Sequence, residues 1–107
     1  MRVALLVTHL SGTGHLVRML ALARALAAAG AEPVVLSGGR PLAHLDAGGV
    51  ELVQLPPLTV PDFDYARPRR ADGAVASEAD LATRREIVAA RVAALAPAAL
   101  VLETWPF

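Results

Sequence analysis

The chain has 107 residues, enough for one domain and too few for two, and its 55% hydrophobic content supplies a core. Ten basic residues, all of them arginine, balance ten acidic ones, which excludes a dedicated nucleic-acid or anionic-membrane binder, since either needs a basic excess. There is no cysteine, so disulfides, thiolate catalysis and cysteine-ligated metals are excluded as well.

Val3-Ala4-Leu5-Leu6-Val7 is a continuous apolar run without alternation, the pattern of a strand covered on both faces at the centre of a parallel sheet. A glycine-rich turn, Ser11-Gly12-Thr13-Gly14-His15, leads into a segment whose Leu16, Leu20, Ala23 and Ala27 recur at helical spacing. Gly30 stands where a helix C-terminus favours glycine. Val34-Val35-Leu36 reads as a second strand, stopped by Ser37-Gly38-Gly39. The spacing from Pro41 to Ala47 predicts a short helix, Gly48-Gly49 a turn, and Val50 to Leu55 a third strand.

From Pro56 to Ala76 the periodicity fails. Four prolines, three arginines and three aspartates fill this stretch, and a loop of such length is expected to be functional or mobile. Its Arg67, Arg69 and Arg70 either contact an anionic ligand or a lipid head group, or belong to a mobile loop neutralised by Asp62, Asp64 and Asp72. Ser77 with Asp80 three residues on forms a near capping box. Leu81, Val88, Val92 and Leu95 share one helical face, with Arg84, Arg85 and Arg91 off it and Pro97 at the end. Ala98 to Leu102 is read as a fourth buried strand.

This order is that of an α/β domain: a Rossmann-like doubly wound parallel sheet in three α/β/α layers, spanning 1–107. Mean hydropathy is +0.50, yet no apolar run reaches the roughly 18 residues of a membrane span, and Val3 to Val7 is too short for a signal-peptide core. The chain is read as cytoplasmic, with its apolar residues in buried strands.

The segment that carries chemistry is His9 to His15. Glycines allow close approach of a ligand, and a helix N-terminus favours an anion such as phosphate; a plain tight turn is the alternative. A dinucleotide fingerprint fails, because position 17 is Val17 and the second strand ends in Ser37-Gly38-Gly39 without an acid. The Walker loop fails for want of lysine. A helix N-terminus disfavours the imidazolium, so His15 there is suited to accept a proton, the alternative being a solvated helix-start residue. His9 reads as structural, and His44 gives no signal.

Gly12-Thr13-Gly14-His15-Leu16, followed by Leu22-Ala23-Arg24-Ala25-Leu26, Val35-Leu36-Ser37-Gly38-Gly39 and the ending Leu102-Glu103-Thr104-Trp105-Pro106-Phe107, resembles the amino-terminal half of GT-B-fold glycosyltransferases. The likeness is strongest to predicted glycosyltransferases related to the N-acetylglucosaminyltransferase of the lipid-linked peptidoglycan precursor. It implies transfer of a sugar from a nucleotide-sugar donor to an acceptor hydroxyl, without a metal or other cofactor.

By that resemblance His15 matches the histidine proposed as general base in inverting members, and Glu103 orients it or shares its role. Gly12, Thr13 and Gly14 would line the cleft, and Ser37, Gly38, Gly39 and Arg40 would meet substrate or phosphate at the end of the second strand. The donor-binding domain of such enzymes is not contained in 1–107, so the chain alone is expected to be inactive, lying in the cytoplasm or at the inner membrane face. Two other readings stay open: a phosphate-binding α/β module without catalysis, and a subunit that associates with a second copy or a partner chain through Trp105-Pro106-Phe107.

Overall fold

The computed structural model describes residues 1–9, 14–42, 45–61 and 64–103. Its elements are β1 (Arg2–Val7), α1 (Gly14–Ala28), β2 (Glu32–Ser37), β3 (Glu51–Gln54), α2 (Glu78–Leu95) and β4 (Ala99–Glu103). The four strands form one parallel sheet in the order β3-β2-β1-β4. β1 is central as its unbroken apolar run predicts, buried from Val3 onward.

Alternation along the strands sorts the core into two halves. Val3, Leu5, Val7 and Val35 face α1 and meet its Leu16, Met19, Leu20 and Ala23. Leu6, Val34 and Leu36 turn the other way, where Ile87, Val88, Val92 and Leu95 of α2 cover them together with Leu55. The two helices therefore lie on opposite faces, giving the three-layer α/β/α, Rossmann-like arrangement. α1 ends in a reversal at Gly30, whose φ of 94° suits glycine and lets Ala31 N–H reach the Leu26 carbonyl at 3.0 Å. No helix among the described residues is long and apolar enough to cross a membrane.

Three expectations are corrected. Among the described residues from Pro41 to Ala47 there is no helix. Instead, Asp46 accepts a hydrogen bond from Gly48 N–H at 2.8 Å, a local turn that competes with helix formation, ahead of the positive-φ pair Gly48-Gly49. The strand after Pro97 is not buried: Leu100 and Leu102 are 44% and 48% exposed. β4 lies at the sheet edge, and the α2 layer covers β1 and β2 rather than β4, so only Val101 reaches the α1-side core. The third correction, Arg84, belongs to the strand ends described below.

The proline-rich connection is not featureless. Leu58, Val60 and Ala76 are buried, and antiparallel bridges join Thr59 to Arg69 and Arg69 to Val75. Its charges pair off within reach: Arg67 with Asp64, and Arg70 with both Asp72 and Asp80. The capping box at the start of α2 forms as the sequence predicts. Ser77 Oγ accepts from Asp80 N–H at 3.0 Å and Asp80 Oδ2 accepts from Ser77 N–H at 2.8 Å.

Candidate functional site

Parallel pairing sets Val7 level with Ser37 on one side and with Glu103 on the other, so the strand ends form one edge. α1 begins at Gly14, beside that edge, and a Cβ added to Gly14 would meet nothing within 4 Å. His15 follows in the first turn. Arg18 lies three residues on, which puts both side chains on one side of the helix. Both reach the carboxylate of Glu103: His15 Nδ1 lies 2.8 Å and Arg18 Nη1 2.7 Å from the same oxygen, Oε1.

An oxygen that takes an arginine N–H acts as an acceptor, so the imidazole must bring its own proton on Nδ1. In the neutral ring the second nitrogen, Nε2, then carries a lone pair. Glu103 is 17% exposed at its side chain, against 45% for His15 and 69% for Arg18. The carboxylate is thus sheltered beneath a half-open imidazole, an arrangement able to accept a proton from a hydroxyl.

His9 is buried, and its Nε2–H donates to the Arg40 carbonyl at 2.9 Å. Burial above all holds its pKa below the usual 6.5; the hydrogen bond to the Arg40 carbonyl opposes this, and the neighbouring Arg40 charge and His15 ring add to the lowering. Its other nitrogen, Nδ1, is buried without a hydrogen-bond partner among the described residues, as is Ser37 Oγ.

The turn from Ser37 to Arg40 has each of its four carbonyls taken up. Leu55 N–H donates to Ser37 O at 2.8 Å and Leu58 N–H to Gly38 O at 3.0 Å. Gln54 Nε2 donates to Gly39 O at 2.7 Å, and His9 takes Arg40 O. Gly38 and Gly39, singled out for close approach of a ligand, are buried. Their closest neighbours are protein side chains: a Cβ on Gly38 would collide with Arg84 and Thr8, and one on Gly39 with the His9 ring and carbonyl. The Arg40 side chain is exposed.

Arg84 is the correction that matters most here. Expected off the apolar face of α2, it is 3% exposed. Its Nε donates to Pro56 O at 3.2 Å and its Nη2 to Thr8 Oγ1 at 3.1 Å and Gly38 O at 3.3 Å. One guanidinium thus ties together the chain just past β1, β2 and β3. Burial holds it below the usual arginine range. The signal was in the spacing, since Arg84 sits three residues after Leu81 and four before Val88, within the face those residues define. A polar identity outweighed a buried position. Arg18 stands one turn from His15 but is exposed, and nothing in the spacing marks it, because its partner Glu103 comes from a distant strand.

Gly12, Thr13, His44, Trp105 and Phe107 lie outside the described residues. Among the described residues no group of three His, Asp or Glu is disposed to hold a metal. A cavity of about 280 Å³ on the α2 side is lined by Pro56, Pro57, Arg70, Thr83 and Arg84, and its Arg70 is paired with aspartates. Compared with protein-family models, curated proteins and solved structures, the chain matches none.

Proposed function

We propose that the chain is the acceptor-binding half of a GT-B-type glycosyltransferase, with His15 as the base that deprotonates the acceptor hydroxyl and Glu103 as the residue that orients it. The observation that carries this reading is the 2.8 Å contact between His15 Nδ1 and Glu103 Oε1, which joins the first turn of α1 to the end of a strand 88 residues away in sequence. A sugar hydroxyl is a poor nucleophile until its proton is removed as the anomeric carbon is attacked, and a lone pair on Nε2 meets that need. Glu103 fixes the tautomer and stabilises the imidazolium that forms when the proton arrives. Gly14 opens the helix beside the base, and the donor nucleotide is bound mainly by a second domain.

The test is sugar transfer from a panel of nucleotide-sugar donors, measured in an enzyme that carries this chain together with a donor-binding domain. His15→Ala is expected to lower kcat by a factor of about 10²–10⁴, with the circular-dichroism spectrum unchanged. Glu103→Ala should lower it less, because the imidazole remains but its tautomer is no longer fixed. Equal kinetics in the His15 variant would overturn the assignment. The 107-residue chain by itself is expected not to turn over, and clear turnover would overturn the division between acceptor and donor halves.

A further inference from the structure

We infer that the end of β2, from Ser37 to Arg40, is a seat for a hydroxyl-bearing phosphate ester of the sugar-phosphate or polyol-phosphate class. The starting point is where the polar groups of this turn go. All four carbonyls accept hydrogen bonds from within the protein, donated by Leu55 N–H, Leu58 N–H, Gln54, Arg84 and His9. The amides behave differently. Gly38 N–H donates to Val7 O at 2.7 Å, but no hydrogen bond joins the N–H of Gly39 or of Arg40 to any described residue, and Pro41 has none to offer.

Two consecutive peptide N–H groups whose carbonyl ends are fixed in the protein make a local positive potential suited to an oxyanion. The exposed Arg40 guanidinium adds a charged donor beside them. Two further atoms have unmet demand at the same strand end, Ser37 Oγ and His9 Nδ1, both buried. Such atoms are costly unless a partner is supplied. Because the Nε2–H of His9 is committed to the Arg40 carbonyl, its Nδ1 in the neutral ring offers only a lone pair, which asks for a donor. A fully ionised oxyanion would not provide one. A ligand that combines phosphate oxygens with alcohol groups answers both demands with separate groups, whereas inorganic phosphate has only its own acidic P–O–H to offer as a donor.

As a statement about the acceptor of sugar transfer this rests on the reading above; as a binding site it stands without it. The experiment is an amide NMR titration of the chain with glucose 6-phosphate, inorganic phosphate, glucose and uridine diphosphate. The Gly39 and Arg40 amide resonances are expected to move downfield and saturate with glucose 6-phosphate at a Kd of about 1 mM or tighter. Inorganic phosphate should bind more weakly and glucose should leave both resonances in place. Arg40→Ala should weaken glucose 6-phosphate by about tenfold, and Ser37→Ala should reduce its advantage over inorganic phosphate.

Shifts confined to other residues, equal affinity in Arg40→Ala, or tighter binding of uridine diphosphate than of glucose 6-phosphate would each overturn the inference. His15→Ala separates the two proposals, since it should lower kcat for transfer by the factor of about 10²–10⁴ and leave the titration unchanged. Transfer to a neutral acceptor by a chain that ignores glucose 6-phosphate would overturn the phosphate seat alone. Saturable binding in an enzyme that never transfers sugar would overturn the catalytic reading alone.

Discussion

The two sides of the sheet's C-terminal edge treat their polar groups in opposite ways. On the α2 side, Arg84 donates to Thr8, Gly38 and Pro56 from a buried position, and α2 neutralises its own positive end with Ser77, Glu78 and Asp80. On the α1 side, the first turn of the helix holds no acid, Ser37 Oγ and His9 Nδ1 have no partner, and His15 keeps one ring nitrogen outside its contact with Glu103. The edge on the α2 side is completed by the protein. The edge on the α1 side is left for something else to complete, and that difference separates scaffold from candidate site without reference to any relative.

The largest effect that would break this comparison is on the α2 side. Arg84→Met keeps the length of the side chain but removes every donor, so the hydrogen bonds to Thr8 Oγ1, the Gly38 carbonyl and the Pro56 carbonyl at the strand ends are all lost. A loss of about 3 kcal/mol in unfolding free energy is expected by urea denaturation. The exposed Arg18, by contrast, should cost well under about 1 kcal/mol when changed to Gln, as surface ion pairs do. Similar losses for the two arginines would mean that Arg84 is not the tie it resembles.

That arginine also marks the limit of what the sequence discloses. Runs of one character were legible: the apolar stretch of β1, the spacing of Leu16, Leu20 and Ala23, and the Ser77–Asp80 box each dictate their local structure through backbone sterics and burial. His15 is legible in the glycine-rich turn, whereas its pairing with Glu103 is expected only from the resemblance, because it depends on β4 pairing beside β1 in a register that only the folded sheet fixes. The exposure of β4 was missed because a run of Ala, Leu and Val looks the same at the edge of a sheet as at its centre. Arg84 was missed because hydropathy treats an arginine as a surface residue, whereas its carbonyl and hydroxyl partners come from three separate strand ends.

A smaller effect sharpens the contrast between the two helix starts. Ser77→Ala removes the hydroxyl that accepts from Asp80 N–H and should cost about 1 kcal/mol. Asp80 itself is held below the usual carboxylate range, first by the Ser77 N–H, so the cap is complete above pH 3.8 and its contribution falls as pH drops below that value. If Ser77→Ala left stability unchanged, the self-sufficiency of the α2 side would be overstated.

His9 gives a pH-dependent version of the same comparison. Its folded pKa is depressed by burial below 6.5, so under acid the unfolded chain takes up a proton at this residue before the folded chain does. Stability from this group is therefore present above pH 6.5 and is lost as pH falls toward the depressed folded value. His9→Gln retains a donor for the Arg40 carbonyl and removes the titration. Unfolding free energy measured between about pH 7 and about pH 5 should show a shallower decline in that variant, and parallel curves would locate the acid sensitivity elsewhere.

The smallest expected effect on stability is the most discriminating. Ser37 Oγ is buried, yet among the described residues nothing accepts from it or donates to it, so deleting it breaks no hydrogen bond to them. Ser37→Ala should therefore leave the unfolding free energy within about 0.5 kcal/mol of the parent, or raise it slightly, because an unmet polar group has been removed. Buried hydroxyls that serve the fold behave otherwise, since their loss strands a partner. A drop comparable to that of Arg84→Met would mean that Ser37 is bonded within the protein, and the α1 side would then be as complete as the α2 side. A neutral result together with weaker binding of glucose 6-phosphate would assign the hydroxyl to the ligand, since a group that contributes nothing to folding but does contribute to binding is held in place for the ligand.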